Sequence, residues 1–314
     1  MARKAIQDYR PGEPVDEVFL LAKRELKTAK SGSYYLALTV CDRTGSLECR
    51  MWDASPTLYE AVREDSFVRI KGKAETYNNQ LQFSIRSISV ADAANLNLED
   101  FLPQSKRPPQ EMMAELKAIL EQVEDKDYRA LCEAFLTDKD FVKAFRTAPA
   151  AIRYHHAYLG GLLEHTLNVA KLALAILPYY PILRKDLLLT GVFLHDVGKT
   201  QELRFDKTFS YSDAGQLLGH VVLGSMIVDE KAGTVKDFPK EKLDLLVHCI
   251  LSHHGAYEFG SPKLPMTPEA MAVHYLDNLD AKLKDFATTV EEDVQSRSNW
   301  TEYVPQFQRR LYKR

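Results

Sequence analysis

The sequence predicts two structural parts, an all-β barrel followed by an all-helical domain. Apolar residues recur with a period of two from Val15 to Val90, and with spacings of three and four beyond residue 110. Residues 91–110 have neither period and contain three prolines, which is typical of a linker. We therefore expect a first domain at 1–93, a linker at 94–110 and a second domain at 111–314.

Composition narrows the class of protein. Apolar residues make up 45% and charged residues 27% of the 314 residues, as in soluble globular proteins. The net charge of −3 gives no strong overall electrostatic field, so any contact with nucleic acid needs a local patch of positive charge. We find no apolar leader and no apolar window of about 18 residues, so a cytoplasmic protein without membrane contact is expected. The four cysteines lie far apart, as reduced thiols do.

The first domain has the strand order of an OB-fold barrel, five strands with a short helix between the third and fourth. The helix is predicted at Pro56–Arg63, and turns at Thr44-Gly45 and Asn78-Asn79. The predicted strands are Val15–Leu26, Ser33–Cys41, Ser46–Asp53, Ser66–Tyr77 and Gln80–Val90.

Alternation assigns the two faces of these strands. The residues expected inside the barrel are Leu36, Leu38, Val40, Leu47, Cys49, Met51, Leu81, Phe83 and Ile85. Barrels of this kind bind single-stranded RNA or DNA on the face of strands two and three, through aromatic platforms and basic side chains. Tyr35, Arg50 and Trp52 suit that role, and Arg86 could add a phosphate contact. Packing against a helix or a neighbouring domain is the alternative role for the aromatic pair.

The second domain reads as a series of helices, with no strand of comparable strength. Asp186 and Thr267 are expected N-caps, the latter followed by Pro268. The predicted helices are Glu111–Glu124, Asp127–Leu136, Asp140–Arg146, Leu162–Leu177, Asp186–His195, Gly215–Asp229, Lys240–Leu251 and Thr267–Thr288.

An ordered series of histidines and aspartates lies in or next to five of these helices. Its members are His165, His195, Asp196, His220, His253, His254 and Asp277. Burying that many polar groups without a metal or dense hydrogen bonding is costly, and the series includes no cysteine that would close a structural site. The series therefore predicts an open, catalytic metal centre. Asp196 has two oxygens and suits a bridge between two ions, while Asp280 could replace Asp277 at helical spacing.

The order His, His-Asp, His, His-His, Asp resembles that of the HD-domain metal-dependent phosphohydrolases that bind two metals. The resemblance implies His165, His195, Asp196 and Asp277 on one ion and Asp196, His220, His253 and His254 on the other. The runs YHHAYLGGLLEHTLNVA, HDVGK and HHGAYEFGSPKLPMTPEA, behind an OB-fold, are similar to those of the YhaM-type 3′-5′ exoribonucleases over nearly the whole chain. That likeness implies a two-metal hydrolase that shortens single-stranded RNA, and also DNA as a second candidate, from the 3′ end.

Two further residues are candidates for catalysis. Lys199 could reach a phosphate oxygen, or could interact with a helix C-terminus. His156, or its neighbour His155, could hydrogen-bond the substrate or protonate the leaving oxygen, or could simply be a helix-end histidine. Manganese is the expected metal, although sites built from these ligands also accept Fe, Co, Ni or Zn.

Two other functions fit the same residues. An HD phosphohydrolase could act on a small cyclic or polyphosphorylated nucleotide, with the barrel as a regulatory module. A homo-oligomer is compatible with this function and with an exoribonuclease. A nucleic-acid-binding protein with a structural metal is disfavoured, because the ligands outnumber those of one closed site. The C-terminal run NWTEYVPQFQRRLYKR mixes aromatic and basic residues, which suits either a strand contact or a docked tail.

Overall fold

A computed structural model describes residues 3–29, 31–77, 80–92, 96–97, 100–152, 155–205, 209–293 and 298–313. The chain divides into two compact units, one of residues 1–104 with 205–208 and one of residues 105–204 with 209–314. None of the helices in the described ranges combines the length and the apolarity that crossing a bilayer requires.

The first unit contains a closed five-stranded barrel, which confirms the OB-fold prediction. The elements are β1 Pro14–Thr28, β2 Tyr34–Asp42, β3 Gly45–Met51, α1 Pro56–Ala61, β4 Ser66–Tyr77 and β5 Gln80–Val90. The strands neighbour one another in the order β1-β2-β3-β5-β4, and parallel pairing of β3 with β5 completes the closure. The turn predicted at Asn78-Asn79 lies outside the described residues.

The barrel core follows the predicted alternation. Leu36, Leu38 and Cys49 are fully buried, while Leu47 and Met51 are partly buried against the same cluster. The register of β4 with β5 shifts between Lys71 and Gly72, which leaves Arg86 as an extra residue in a β-bulge. A Cβ on Gly72 would lie 2.1 Å from the Ser84 carbonyl oxygen, so only glycine fits at this shift.

The predicted linker contains packed residues. Phe101 and Leu102 are buried, and the Phe101 ring lies 4.7 Å from that of Phe67 in the same unit. The first long helix begins at Pro109, within the segment that the sequence left unstructured.

The second unit is built from helices at the predicted places. Helix α6 is buried from Leu187 to Leu194 and packs against α5, α9 and α10. The helices are α2 Pro109–Leu120, α3 Lys126–Thr137, α4 Lys139–Thr147, α5 Gly161–Ile176, α6 Lys185–Leu194, α7 Lys199–Glu202, α8 Asp213–Gly233, α9 Lys240–Ser252 and α10 Pro268–Glu292.

One of the two predicted caps is confirmed. The Thr267 side chain accepts a hydrogen bond from the Ala270 N–H, with Pro268 at the first helical position. The cap predicted at Asp186 is wrong, because Arg184 occupies the N-cap position of α6. Asp186 instead accepts a hydrogen bond from the backbone N–H of Asp125, at 2.7 Å.

Two short antiparallel ladders correct the expectation of no strands in this unit. The ladders are β6 Leu203–Arg204 with β7 Ser210–Tyr211, and β8 Trp300–Val304 with β9 Arg309–Tyr312. In the second ladder Thr301 and Leu311 are buried, whereas Trp300 and Tyr312 form an exposed cross-strand pair 5.1 Å apart. The C-terminal run is therefore a docked hairpin with an aromatic outer face.

Candidate metal centre

Five helices bring the histidine and aspartate series together. His165 lies in the second turn of α5, and His220 and Asp277 lie within α8 and α10. The His195-Asp196 and His253-His254 pairs directly follow the last residues of α6 and α9. Both His195 and His253 keep right-handed helical backbone angles, so each pair continues its helix by one further step into the space between the helices.

One group of candidate ligands surrounds the Nε2 atom of His165. It lies 3.3 Å from His195 Nε2 and 3.2 Å from Asp277 Oδ1. Asp196 Oδ2 is 3.7 Å from His165 Nε2 and 3.5 Å from His195 Nε2. His165, His195 and Asp277 have ligand atoms close enough together to hold one cation.

The second group lies on the other side of Asp196. His220 Nε2 is 3.2 Å from His254 Nε2, and the rings of His253 and His254 are 4.3 Å apart. Asp196 Oδ1 is 3.6 Å from the Nε2 atoms of both His220 and His253. The two oxygens of Asp196 therefore face different ligand groups.

The carboxylate of Asp196 is buried and incompletely satisfied. Lys199 Nζ donates to Oδ2 at 2.7 Å, whereas the buried Oδ1 has no hydrogen-bond partner. Burial raises the pKa of Asp196, but Lys199 and the surrounding histidines outweigh burial and hold it well below its usual range. A buried anionic oxygen without a donor is costly unless a cation accompanies it.

Hydrogen bonds fix which nitrogen of each imidazole faces the centre. His195, His253 and His254 each donate from Nδ1 to a backbone carbonyl, those of Val192, Ile250 and Phe259, at 2.7–2.8 Å. A carbonyl can only accept, so Nδ1 carries the proton and a neutral ring has a bare lone pair on Nε2. His165 and His220 likewise direct Nδ1 at the carboxylates of Asp280 and Glu202.

This arrangement fits divalent cations and is unfavourable without them. Burial and the neighbouring His254 hold the pKa of His253 well below its usual range, so that ring is neutral. The Nε2 atoms of His220 and His254 face one another at 3.2 Å, and when both rings are neutral with the proton on Nδ1 these lone pairs repel unless a positive charge lies between them. Donation from Nδ1 to an acceptor behind the ring is the support that metal-binding histidines have in proteins.

Asp277 and Asp280 lie on opposite sides of the His165 ring, and His156, His165 and Asp280 form a further group with ligand atoms close together. Asp277 faces Nε2 with the other candidate ligands, whereas Asp280 accepts a 2.7 Å hydrogen bond from Nδ1. Burial lowers the pKa of His165, but the two aspartates raise it to about 9. Asp280 also accepts a hydrogen bond from Asn168, so it is a positioning residue behind the ring.

The expected catalytic role of His156 does not agree with the structure. His156 is almost fully buried and is absent from the lining of the cleft. Its Nε2 donates to Asp280 at 2.9 Å and its Nδ1 accepts from the Tyr158 hydroxyl at 2.8 Å, so both nitrogens are occupied. His155 is the member of the pair that lines the cleft.

Glu202 is a positioning residue that the sequence analysis missed. Helix α8 is kinked at Gly219, with φ 71° and ψ 160°, a conformation that favours glycine. The kink directs the N–H of His220 away from its own helix, and Glu202 Oε1 accepts from this N–H at 2.9 Å and from Nδ1 of the ring at 3.0 Å. A glycine next to a candidate ligand inside a helix was the signal that could have pointed to such a kink.

His274 holds the turn that carries the His-His pair. Its Nδ1 donates to the carbonyl of His253 at 2.7 Å. Gly255 has φ +79°, and a Cβ there would lie 2.2 Å from the His274 ring. The glycine that ends α9 is thus required both by the backbone conformation and by this contact.

A cleft of about 680 Å³ is lined by Asp196, by Asp277 from the first group and by all three histidines of the second group. Lys199 is part of its lining, and it begins α7 rather than ending a helix, so its contact is with Asp196 and not with a helix C-terminus. The lining consists of Ala150, Ala151, Ile152, His155, Asp196, Lys199, Glu202, Leu203, Tyr211, His220, His253, His254, Phe259, His274, Asp277, Asn278, Ala281 and Lys282.

The barrel presents the predicted aromatic pair on its outer face. The rings of Tyr35 and Trp52 lie 5.0 Å apart at 35°, and Trp52 is half exposed. The Arg50 guanidinium lies 4.7 Å from the centre of the Tyr77 ring, an exposed aromatic side chain that the sequence analysis did not select. Arg86 is exposed at the β-bulge.

Comparison with known proteins gives matches to both units. The HD domain family model matches residues 162–282, and the model of the OB-fold nucleic acid binding domain matches residues 20–91. A protein of Bacillus subtilis named 3′-5′ exoribonuclease YhaM is 35% identical over 315 residues, covering 97% of this chain and 99% of the relative. A protein of the same name from Bacillus velezensis is 36% identical, covering 89% of this chain and 88% of the relative. Another from a Geobacillus strain is also 36% identical, covering 92% of this chain and 89% of the relative.

Proposed function

Because this chain belongs to the family of the YhaM 3′-5′ exoribonucleases, we propose that it is a hydrolase of phosphodiester bonds that removes nucleotides from the 3′ end of single-stranded RNA. We further propose that it does so with two divalent metal ions, manganese being the first candidate. Direction and preference for RNA rest on the relatives alone.

The observation that carries the two-metal proposal is the position of Asp196. Its Oδ2 faces the group around His165 and its Oδ1 faces the group around His253. Asp277 completes the first group, while His220 and His254 complete the second. The unpartnered Oδ1 and the facing Nε2 atoms of His220 and His254 support a cation on one side of the bridge. The close approach of the ligand atoms of His165, His195 and Asp277 supports a cation on the other side.

The metals and the side chains have separate tasks in this proposal. Two divalent ions held by these residues would activate water near neutral pH and would neutralise charge on the phosphoryl oxygens. Lys199 holds the bridging carboxylate in place through its bond to Oδ2 and presents a fixed positive charge to the cleft. Asp280 and Glu202 orient His165 and His220 from behind.

The barrel supplies affinity for the single strand. Tyr35 and Trp52 offer a sequence-tolerant stacking surface, and Arg50 and Arg86 add positive charge on the same domain. These contacts would let the enzyme hold RNA of any sequence while the terminal nucleotide is removed.

The test follows one unstructured RNA labelled at either end. The protein is stripped with a chelator, reloaded with Mn²⁺ and mixed with the RNA. The 5′-labelled RNA should give a ladder that descends by single nucleotides, and the 3′-labelled RNA should give labelled mononucleotide at the first turnover. Immediate mononucleotide from the 5′ label, or internal fragments, would contradict the proposed direction. Turnover of cyclic or polyphosphorylated mononucleotides without RNA cleavage would favour the small-nucleotide phosphohydrolase.

A matched pair of variants tests the bridge. Asp196→Asn removes the charge of the bridging carboxylate, whereas Asp244→Asn makes the same change on the exposed face of α9, where Asp244 contacts only Lys240 among the ion pairs found in the described residues. Metal content by elemental analysis should be about two per chain in the parent and in Asp244→Asn. It should fall in Asp196→Asn together with the activity. An Asp196→Asn protein that retains both metals and activity would refute the bridging role.

A further inference from the structure

The cleft beside the candidate metal centre is lined by two lysines that differ in their contacts. Lys199 Nζ donates to Asp196 Oδ2 at 2.7 Å, so its charge is already paired inside the protein. Lys282 is exposed and takes part in none of the ion pairs or side-chain hydrogen bonds found in the described part of the chain. By contrast, Lys284 on the same helix lies 3.6 Å from Glu164 Oε1. The charge of Lys282 is therefore available to a ligand in the cleft.

Lys282 has a polar neighbour on the same side of α10. Asn278 also lines the cleft and precedes Lys282 by four residues, so the two side chains lie one turn apart on the helix surface. Among the described residues the side-chain amide of Asn278 has no hydrogen-bond partner either. The other exposed positions of α10 between residues 271 and 287 are uncharged, so Lys282 is not one of a scatter of surface charges. We call the side chains of Asn278 and Lys282 the α10 donor pair.

The α10 donor pair lies beside the candidate metal centre without being part of it. Asp277 faces His165 Nε2 at 3.2 Å, and Lys282 is further along the same helix by about 7.5 Å of axial rise. No ion pair found among the described residues joins Lys282 to Asp277 or to another candidate ligand. Ala281 lines the cleft with no more than a methyl group, which leaves room for a bound group there. A phosphate held by the metal ligands would therefore leave the α10 donor pair free for a second phosphate.

We propose that the α10 donor pair binds the RNA phosphate that precedes the scissile one on its 5′ side. This inference rests on the proposed removal of nucleotides from the 3′ end. In that reaction the scissile phosphate is the last one of a hydroxyl-ended strand, so every other phosphate lies on its 5′ side. Lys282 supplies a positive charge to this phosphate, and Asn278 donates a hydrogen bond to one of its oxygens. The preferred substrate is then a strand with at least two phosphates.

Two ribodinucleotides that differ in a single phosphate test the proposal. Both have a 3′-hydroxyl and one internal linkage, but one begins with a 5′-phosphate and the other with a 5′-hydroxyl. The parent should hydrolyse the 5′-phosphorylated dinucleotide with a kcat/KM about five- to tenfold higher, between the effect of an exposed ion pair and that of a hydrogen bond to a charged group. Lys282→Gln should bring this preference close to one, because it removes the charge. Lys282→Arg keeps the charge and should retain the preference.

A matched control and a measurement without turnover accompany this comparison. Lys236→Gln makes the same change at an exposed lysine between α8 and α9, outside the lining of the cleft, and should keep the preference of the parent. A 5′-phosphorylated dinucleotide with a carbon atom in place of the bridging 3′ oxygen cannot be hydrolysed at that linkage. Calorimetry should give a Kd for this analogue that is about five- to tenfold higher in Lys282→Gln than in the parent or in Lys236→Gln.

The subsite and the proposed activity can fail separately, because the end-labelled RNA judges the activity and the Kd of the analogue judges the subsite. If neither dinucleotide is hydrolysed, a higher Kd in Lys282→Gln alone still supports the subsite, and an unchanged Kd overturns it. Equal kcat/KM for the two dinucleotides in the parent would also overturn it. The same holds for a preference that persists in Lys282→Gln, or for a loss in Lys282→Arg or Lys236→Gln as large as that in Lys282→Gln.

Discussion

Replacement of Glu202 by alanine should weaken metal binding at one of the two ligand groups. Glu202 Oε1 accepts two hydrogen bonds from His220, one from the backbone N–H at the kink and one from Nδ1 of the ring. Burial raises the pKa of Glu202, but the bonds from His220 outweigh it and lower the pKa below its usual value, so the acceptor is ionised. The variant leaves two donors without this carboxylate, and the ring of His220 loses its fixed orientation.

The size of the effect follows from these two bonds. A hydrogen bond to a charged group contributes about 1.5–3 kcal/mol, and loss of a partner behind a metal-binding histidine typically lowers metal affinity or activity about 10–100-fold. We expect Glu202→Ala to fall in that range. Glu202→Gln keeps a carbonyl acceptor without the charge and should lie between the parent and Glu202→Ala.

The assay is a Mn²⁺ titration of exonuclease activity together with metal analysis after dialysis. The activity midpoint of Glu202→Ala should move to higher Mn²⁺, and at intermediate Mn²⁺ the metal content should fall from about two per chain toward one. The control is Glu230→Ala, an exposed carboxylate on α8, the helix that carries His220. An activity midpoint within about twofold of the parent, with the metal content unchanged, would refute the reasoning that Glu202 orients a ligand.

Three further predictions concern the barrel, the turn after α9 and the helix start at α10. Trp52→Ala removes one stacking surface, so the KM for RNA should rise by about 5–150-fold. The rate of hydrolysis of a small chromogenic phosphodiester should stay unchanged. An equal loss of activity on both substrates would contradict a role in strand binding. Gly255→Ala places a residue with a side chain at a positive φ and its Cβ against His274. The melting temperature should therefore fall by at least about 2–4 °C, and activity should be lost. A variant as stable and active as the parent would contradict this prediction. Glu269 is buried, and although burial raises its pKa, hydrogen bonds from Arg184 lower it below the usual value. A carboxylate whose pKa is lowered on folding stabilises the folded state at pH values above its unfolded pKa, and this stabilisation is lost as the pH falls through the folded pKa. The melting temperature should therefore drop less on acidification in Glu269→Gln than in the parent. Parallel curves of melting temperature against pH would refute the pairing with Arg184.

Much of the scaffold could be predicted from local pattern. The period of two placed Leu36, Leu38 and Cys49 inside the barrel, because alternate side chains of a strand point to opposite faces whatever the rest of the chain does. Thr267 and Pro268 marked the start of α10 for an equally local reason, since a cap involves only its own first turn. The hairpin Trp300–Tyr312 was not predicted, because only Thr301 and Leu311 lie on its buried face. Two residues are too few to show the period of two that marks a strand.

The residue types of the candidate centre could also be predicted, but not which residue faces the centre and which supports a neighbouring ligand. A set of imidazole and carboxylate groups spread over several apolar runs indicates metal chemistry, because burying so many polar groups without a partner is costly. Asp277 and Asp280, however, lie less than one turn apart on α10, and only the position of the His165 ring assigns one to the centre and the other to its support. The same holds for His155 and His156, which are adjacent in sequence but differ in which of them lines the cleft.

The sequence by itself thus determined the two kinds of domain and the chemistry of the ligands, because periodicity and side-chain type are local properties. The tertiary structure decided which oxygen of Asp196 faces which histidines, and that Glu202 supports His220 across a kink. Those facts depend on the crossing of helices from distant parts of the chain, where a few ångströms separate a ligand from its support.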